Sequence, residues 1–277
     1  MDSDIKKSLI SFIVTCKGRL DHLKQSLPAL VNQKVSEVIL VDYSCEDFCG
    51  DWANKNYPSV VVVRVPGESY FSLSRARNIG AARASGNILA FVDADHLVDI
   101  KLSSHIHEVM KNSDWSSSGF AHREADICGF FCIKKTIFDR IEGYDEAFKG
   151  WGSEDIDIMV RAKLFGATFS QINTNFLKSI PHGDEIRQLN HRHPVFNMDR
   201  MTSLRASQLY MHVKIDLMQI SGGIDIKTRE RLFNLCIKKV AEKNNDTKIK
   251  FSISVPQITM SKFSKRIRKS IIYEVDL

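Results

Sequence analysis

The sequence predicts an α/β fold in which helices cover both faces of a mostly parallel β-sheet, followed by a helical C-terminal extension. Short runs of β-branched and apolar residues alternate with amphipathic stretches from about residue 8 to residue 98. This alternation is typical of β-α-β units, whose crossover helices make neighbouring strands parallel. The strand-like runs are also continuously apolar, as expected for strands that have no wet face.

The individual elements follow from the period of the apolar residues. Strands are expected at 9–16, 38–42, 60–65, 88–92 and 127–133. Helices are expected at 74–84, where the helix stops at Gly86, and near 136–141. Three further helices are indicated by helical spacing of Leu23, Leu27, Leu30 and Val31, of Ile156, Met159, Val160 and Leu164, and of Leu232, Leu235, Cys236 and Val240.

Residues 1–200 are expected to form the main domain. Residues 201–277 form a basic helical extension. The composition, with 43% hydrophobic and 26% charged residues, is that of a globular protein with a sizeable core. We find neither a signal-peptide pattern nor an apolar run of about 18 residues, so the mature chain is expected to begin near Met1 and to be cytoplasmic.

The six cysteines include two pairs with the same spacing, Cys45 with Cys49 and Cys128 with Cys132. A four-thiolate zinc site stays open as an alternative, although structural zinc usually uses tighter knuckles. Because 128–132 is an apolar strand-like run, buried reduced thiols are the favoured interpretation.

Ligands of open α/β sheets bind beyond the carboxyl ends of the strands, so the residues that follow each strand are the first candidates. Asp93 and Asp95 directly follow the run 88–92. Side chains two residues apart in an extended segment project the same way, so both carboxylates can reach one crevice and hold Mg²⁺ or Mn²⁺. A strand-ending turn also explains these residues, since aspartate is common there.

A second candidate is 150–157, with the sequence GWGSEDID, where a tryptophan between two glycines precedes an acidic helix start. A well-formed helix N-terminus, with Ser153 as the cap, would explain the acids. It does not explain Trp151, whose indole could stack on a sugar ring in a mobile or closely approached loop. Asp157 and Arg161 are spaced to pair along the helix.

These elements, with the run SRARNIG at 74–80, resemble the inverting glycosyltransferases of the GT-A (Rossmann-like) fold. The first half is similar to family 2 enzymes. The segment GWGSEDID is similar to the G-W-G-x-E-D segment of β-1,4-galactosyltransferases and bacterial chondroitin-type polymerases. The resemblance covers about residues 8–185, and the order of its two acidic elements, about sixty residues apart, is more specific than either alone.

The resemblance implies that residues 1–200 are the catalytic domain, with a nucleotide-binding half at about 8–98 and an acceptor half at about 99–200. It also implies a UDP-sugar donor and assigns its nucleotide pocket. The loop after the first strand, with Thr15, Cys16, Lys17 and Arg19, would line that pocket. Asp42 would accept a hydrogen bond from the base, although family 2 enzymes often carry a second acid where this chain has Tyr43 and Ser44. Arg77 would lie near the diphosphate, and Asp93 would face the ribose or the metal.

The resemblance also assigns the metal and the reacting groups. Asp95 would be the main ligand of Mn²⁺ or Mg²⁺, and His182 the third ligand, with His191 and His193 as nearby alternatives. His96 is expected to lie behind the carboxylates or to face solvent. Trp151, Gly129 and Glu154 would face the donor sugar and the acceptor, and the catalytic residues would be Asp155, as the general base, and Glu154.

The implied function is sugar transfer to a hydroxyl of a glycan or glycolipid in polysaccharide or capsule biosynthesis. An inactive sugar-binding relative stays open, and so does a nucleotidyltransferase, although no Gly-rich, Lys-containing phosphate loop follows the first strand. The net charge of +6 suits phosphate-bearing ligands, and no nucleic-acid motif accompanies it. The basic segment 262–269 fits either a peripheral membrane contact or a solvated tail.

Overall fold

A mixed β-sheet with helices on both faces forms the main body of the chain. The computed structural model describes residues 9–119, 127–181, 183, 199–242, 248–254 and 270–276. By internal contacts the chain divides into two compact units. Unit 1 comprises Met1–Asp145 and Asp155–Arg192, and unit 2 comprises Glu146–Glu154 and His193–Leu277.

Unit 1 contains nine strands and six α-helices among its described residues. The strands are β1 (Ile10–Cys16), β2 (Ser36–Tyr43), β3 (Val61–Val65), β4 (Ile88–Asp93), β5 (His96–Val98), β6 (Trp115–Ser117), β7 (Phe131–Lys134), β8 (Phe169–Gln171) and β9 (Leu177–Ser179). The helices are α1 (Leu20–Val31), α2 (Cys49–Asn56), α3 (Leu73–Arg83), α4 (Leu102–Val109), α5 (Lys135–Arg140) and α6 (Glu154–Leu164), and a 3₁₀ turn covers Thr174–Phe176.

The described strands of the large sheet have the order β3-β2-β1-β4-β7-β6-β8. Strands β3, β2, β1 and β4 run parallel to one another, and β7 is antiparallel to both β4 and β6. Strand β6 is parallel to β8, while β5 and β9 form a separate antiparallel pair. The predicted α/β class with a mostly parallel sheet is confirmed.

The two faces of the sheet bury two separate apolar clusters. Along β1, Phe12 and Val14 belong to one cluster and Ile13 to the other, as the period of two in a strand requires. Residues of α1 and α4 pack in the first cluster, and residues of α3 and α6 pack in the second. Both faces of the central strands are therefore covered, which explains their continuous apolar runs.

Three local predictions were wrong. The run 60–65 was expected to have no wet face, but β3 is an edge strand whose Arg64 is exposed. Strand β7 begins at Phe131 rather than at 127. Helix α3 ends at Arg83 rather than at Gly86. Gly86 is needed because the chain approaches Ser11 closely there: a Cβ at residue 86 would lie 2.5 Å from Ser11 Oγ.

Unit 2 contains two helices, α7 (Arg200–Ser221) and α8 (Ile226–Ala241), and an antiparallel strand pair, β10 (Lys248–Ser254) with β11 (Ser270–Asp276). The rings of Phe148, Tyr210 and Phe233 meet edge to face in its core. The helices agree with the expected helical extension, whereas the strand pair was not predicted. Among the described residues, no helix combines the length and apolar character needed to cross a membrane.

Candidate active site

The acidic edge of the sheet is formed where β4 ends. Asp93 is the last residue of β4, Asp95 lies in the following turn, and His96 begins β5. On the neighbouring parallel strand, Thr15 lies opposite Asp93. The site therefore occupies the carboxyl end of the strands, where ligands of open α/β sheets bind.

Asp93, Asp95 and His96 form a compact group of potential metal ligands. One ligand atom from each residue lies within 4.8 Å of the others. His96 Nε2 is 4.0 Å from Asp93 Oδ2 and 4.0 Å from Asp95 Oδ1. The expectation that His96 could face solvent was wrong, because its residue is fully buried behind the two carboxylates.

Arg77 connects this group to the acid at the start of α6. Its residue is only 1% exposed, and its guanidinium donates to Asp93 Oδ1 at 2.9 Å and also to Asp155 Oδ1. The guanidinium carbon also lies 5.0 Å from the centre of the Tyr144 ring, a cation–π arrangement. Arg77, Asp93 and Asp155 come from three distant parts of the sequence, and the fold brings them together.

The two carboxylates that share Arg77 differ in acidity. Burial acts to raise the pKa of Asp93, but the attraction of Arg77, His96 and Arg19 outweighs it and lowers that pKa. At Asp155, burial and repulsion from Asp93 outweigh the attraction of Arg77, so the pKa is raised. Asp93 therefore stays ionised, while Asp155 is the more basic of the two carboxylates.

Gly129 packs directly against the Asp93 carboxylate. A Cβ built at Gly129 would lie 2.1 Å from Asp93 Oδ2 and 3.5 Å from Arg77 Nη2. Its expected place was beside the donor sugar. The structure gives Gly129 a clear steric role, since only a glycine leaves room for Asp93 in its observed position.

The loop after β1 contributes one side chain to the acidic edge. Arg19 donates to Asp95 Oδ2 at 3.2 Å. Lys17 is buried and donates to the backbone oxygens of Tyr43, Ser44 and Glu68. The side chain of Lys17 thus ties neighbouring loops together.

The other residues predicted for the nucleotide pocket are also engaged within the protein. Thr15 and Cys16 are buried, at 6% and 0% exposure. Asp42 accepts hydrogen bonds from the backbone N–H groups of Cys45 and Gly50, and Arg64 lies 3.3 Å from its Oδ2. Asp42 therefore shapes the loop between β2 and α2.

The glycine-flanked tryptophan belongs to unit 2. Trp151 donates its backbone N–H to Ser203 Oγ at 2.8 Å, and the Arg200 guanidinium lies 4.3 Å from its ring centre. Gly150 and Gly152 both have positive φ, and a Cβ at Gly150 would lie 2.6 Å from Ser203 Oγ. The segment is thus a closely approached loop, and the glycines are explained by backbone conformation and space.

Ser153 does not cap the start of α6, although a well-formed helix N-terminus with Ser153 as the cap was one of the two interpretations of this segment. Ser153 has a φ of 70°, and its Oγ is buried without a hydrogen-bond partner among the described residues. Asp157 is fully buried and accepts from Arg161 Nε at 2.8 Å, as predicted. Asp157 is therefore paired with a residue of its own helix, whereas Asp155 contacts Arg77.

The cysteines group differently from their spacing. Cys16, Cys45 and Cys49 lie close together in space. Cys132 lies in β7, and Cys128 lies just before that strand. All six cysteines lie among the described residues, and none of them forms a disulfide. Hydrogen bonds from Cys16 and Cys49, and then one from the backbone of Gly18, lower the pKa of Cys45.

Several predicted residues lie outside the described residues. These are His182, His191, His193 and the basic segment 262–269. Sequence reasoning missed the bridging role of Arg77 and the packing of Gly129 against Asp93, because neither is marked by a local pattern. The position of His96, directly after Asp95, was the available signal for a histidine at the site.

Comparison with known proteins assigns this arrangement to a class. The fold is that of a glycosyltransferase of the GT-A type. The family model for glycosyl transferase family 2 matches residues 11–156, more than half of the chain. The chain belongs to glycosyl transferase family 2. No curated protein sequence matches it.

Solved structures agree on the fold. TarS 1-349 from S. aureus is 13% identical, with a TM-score of 0.57, and the match covers 84% of this chain and 71% of TarS 1-349. That protein has also been solved in complex with UDP-GlcNAc, with 13% identity, a TM-score of 0.56 and coverage of 84% and 72%. The mannosyltransferase PcManGT from Pyrobaculum calidifontis, in complex with GDP-Man and Mn²⁺, is 12% identical, with a TM-score of 0.56 and coverage of 86% and 74%.

Proposed function

We propose that the chain is an inverting, metal-dependent glycosyltransferase that moves a sugar from a UDP-sugar to an acceptor hydroxyl. The observation that carries the proposal is the Arg77 bridge, in which one guanidinium contacts both Asp93 and Asp155. Arg77, which is proposed to act near the diphosphate, therefore lies directly beside Asp155, the candidate base. The membership in glycosyl transferase family 2 supports the reaction class.

The metal-ligand atoms at the acidic edge suit a hard divalent cation. Two carboxylates and an imidazole offer ligand atoms within 4.8 Å of one another, and such oxygen and nitrogen donors suit Mn²⁺ or Mg²⁺. Asp93 and Asp95 would hold the ion, with His96 behind them and His182 as the predicted further ligand. A bound cation would neutralise the charge that the diphosphate gains as it departs.

Asp155 is the proposed general base. An acceptor hydroxyl is a poor nucleophile at neutral pH, so a carboxylate must take its proton as the new bond forms. The raised pKa of Asp155 suits this task better than the lowered pKa of Asp93. Asp157 is unsuited because it is buried and paired with Arg161. Attack on the face opposite the diphosphate inverts the anomeric configuration, and Glu154 is proposed to hold the acceptor.

The donor nucleotide is proposed to be uridine diphosphate. The resemblance of the N-terminal half supports it, and so does TarS, a structural neighbour solved with UDP-GlcNAc. Because the side chains of Cys16, Lys17 and Asp42 make internal contacts, we propose that the backbone of the loops they support lines the base and ribose site. Arg77 would act near the diphosphate, and Trp151 on the sugar.

The acceptor is proposed to be a hydroxyl of a glycan or glycolipid in polysaccharide or capsule biosynthesis. A glycolipid acceptor would lie at a membrane, and the basic segment 262–269 suits a peripheral contact with an anionic cytoplasmic surface. Membership in glycosyl transferase family 2 removes the support for a nucleotidyltransferase. An inactive sugar-binding relative is distinguished by the assay below.

The test measures UDP release from UDP-sugars with Mn²⁺ present and with excess EDTA. We expect turnover to require the cation, and Asp95→Ala to abolish both turnover and tight UDP binding. Asp139→Ala is the control, since this acid lies on α5 with a largely exposed side chain. Unchanged turnover in EDTA contradicts the metal role, and a retained anomeric configuration in the product contradicts inversion.

A further inference from the structure

Three buried thiols converge at the carboxyl end of the parallel strands, and none of them belongs to the acidic group. Cys16 is the last residue of β1, Cys45 lies in the loop after β2, and Cys49 is the first residue of α2. Their sulfur atoms all lie within 4.8 Å of one another. The residues are 0%, 7% and 0% exposed. The cluster is therefore sealed from solvent and built from three separate elements.

Hydrogen bonding favours the thiolate form at one sulfur of the cluster, that of Cys45. The backbone N–H of Gly18 donates to Cys45 Sγ at 3.3 Å. Hydrogen bonds with the neighbouring thiols, and then burial, raise the pKa of Cys16 and Cys49, so a bound metal ion would displace protons from these two sulfurs. Thiolate, not thiol, is the form that binds metal.

The spacing also suits a metal ion. Tetrahedral ligands with Zn–S bonds of about 2.3 Å place their sulfur atoms about 3.8 Å apart. The observed limit of 4.8 Å means that small side-chain movements reach this geometry. A disulfide would join only two of the three sulfurs, and burial keeps oxidants and thiol partners away from all of them.

We propose that Cys16, Cys45 and Cys49 form a binding site for one thiophilic metal ion, such as Zn²⁺. The ion would join the end of β1, the loop after β2 and the start of α2 into one unit. Soft thiolate donors select such ions, whereas the oxygen-rich acidic edge selects Mn²⁺ or Mg²⁺. The proposal of this metal site does not rest on the proposed transferase activity, although the ion would hold loops that are proposed to line the base and ribose site.

The experiment titrates the full chain with Co²⁺ in the presence of a phosphine reductant. Sulfur-to-cobalt charge-transfer absorption reports thiolate ligands only, so the acidic site does not contribute. We expect the band to saturate at one ion per chain, with the intensity of three thiolates, and to disappear when Zn²⁺ is added. Zn²⁺ should also raise the melting temperature of the reduced chain.

Variants assign the ligands. Cys16→Ala, Cys45→Ala and Cys49→Ala should each weaken Co²⁺ binding by at least about 100-fold. Cys236→Ala is the matched control, since this thiol is equally buried in α8 but outside the cluster. Asp95→Ala should leave the band unchanged, which separates this result from any failure of the transferase proposal.

The wild-type spectrum keeps the proposal testable if the cluster variants do not fold. Absence of the charge-transfer band, together with an unchanged melting temperature in Zn²⁺, would overturn the proposal. A reduced chain that binds no metal, but forms a disulfide between two of the three cysteines on oxidation, would also overturn it and identify a redox pair. A band retained at full strength in the variants would exclude these ligands.

Discussion

Gly129→Ala tests whether the position of Asp93 matters for catalysis. A Cβ at residue 129 would lie 2.1 Å from Asp93 Oδ2, whereas real Cβ contacts essentially never fall below 3.0 Å. The carboxylate would therefore have to retreat by about 0.9 Å, or the backbone would have to shift by a similar distance. Either movement disturbs the 2.9 Å hydrogen bond between Asp93 and Arg77.

The expected loss follows from this displacement. Misplacing a catalytic group by about 1 Å can lower the rate by about 10²-fold. We expect kcat/KM for UDP-sugar turnover with Mn²⁺ to fall by about that factor. Overpacking should also lower the free energy of unfolding by about 1–3 kcal/mol, so the assay is run at a temperature where the variant stays folded.

Gly86→Ala is the matched control. A Cβ there would lie 2.5 Å from Ser11 Oγ and 2.6 Å from the backbone oxygen of Leu9, a similar overlap at the opposite end of β4. It should lower the melting temperature while changing kcat/KM only a few-fold. If Gly129→Ala keeps the wild-type kcat/KM, or if both variants lose activity equally, the reasoning about Asp93 is refuted.

Two further predictions concern ion pairs. Arg77→Gln removes the buried cation between two carboxylates and should lower the free energy of unfolding by roughly 2–4 kcal/mol. Arg75→Gln, whose ion pair with Glu68 is partly exposed, should lower it by less than about 1 kcal/mol, and equal losses in urea denaturation contradict this account. Hydrogen bonds from Thr168 and then Lys134 lower the pKa of Asp114 to about 2. Its stabilisation is therefore present above the usual aspartate pKa and is lost as the pH falls through about 2. The difference in melting temperature between wild type and Asp114→Asn should shrink between pH 4 and pH 2, and a pH-independent difference contradicts the assignment.

The sequence was most informative where a local pattern determines the structure. Continuous apolar runs predicted β1, β2 and β4, because strands covered on both faces must be apolar throughout. The same rule failed for β3, where apolar residues occupy an edge strand. An apolar run therefore identifies a strand more reliably than it identifies the position of that strand in the sheet.

The site was predictable in its acids but not in its connections. Asp93 and Asp95 stand out because they follow a buried strand. The Arg77 bridge depends on α3, β4 and α6 meeting in space, which no local spacing encodes. The equal spacing of the two cysteine pairs suggested that Cys45 and Cys49 would group with Cys128 and Cys132. In the structure, the thiol that lies beside Cys45 and Cys49 is that of Cys16 in β1. Contacts across the sheet are set by topology, so they required the structure.

The most direct test of the proposed mechanism is the transfer rate of Asp155→Asn, measured together with its affinity for the UDP-sugar. Asparagine keeps the shape of the side chain and removes the base. We expect transfer to fall by about 10²-fold or more while donor affinity stays within a few-fold of wild type. A wild-type rate of transfer by Asp155→Asn would contradict the assignment of Asp155 as the general base.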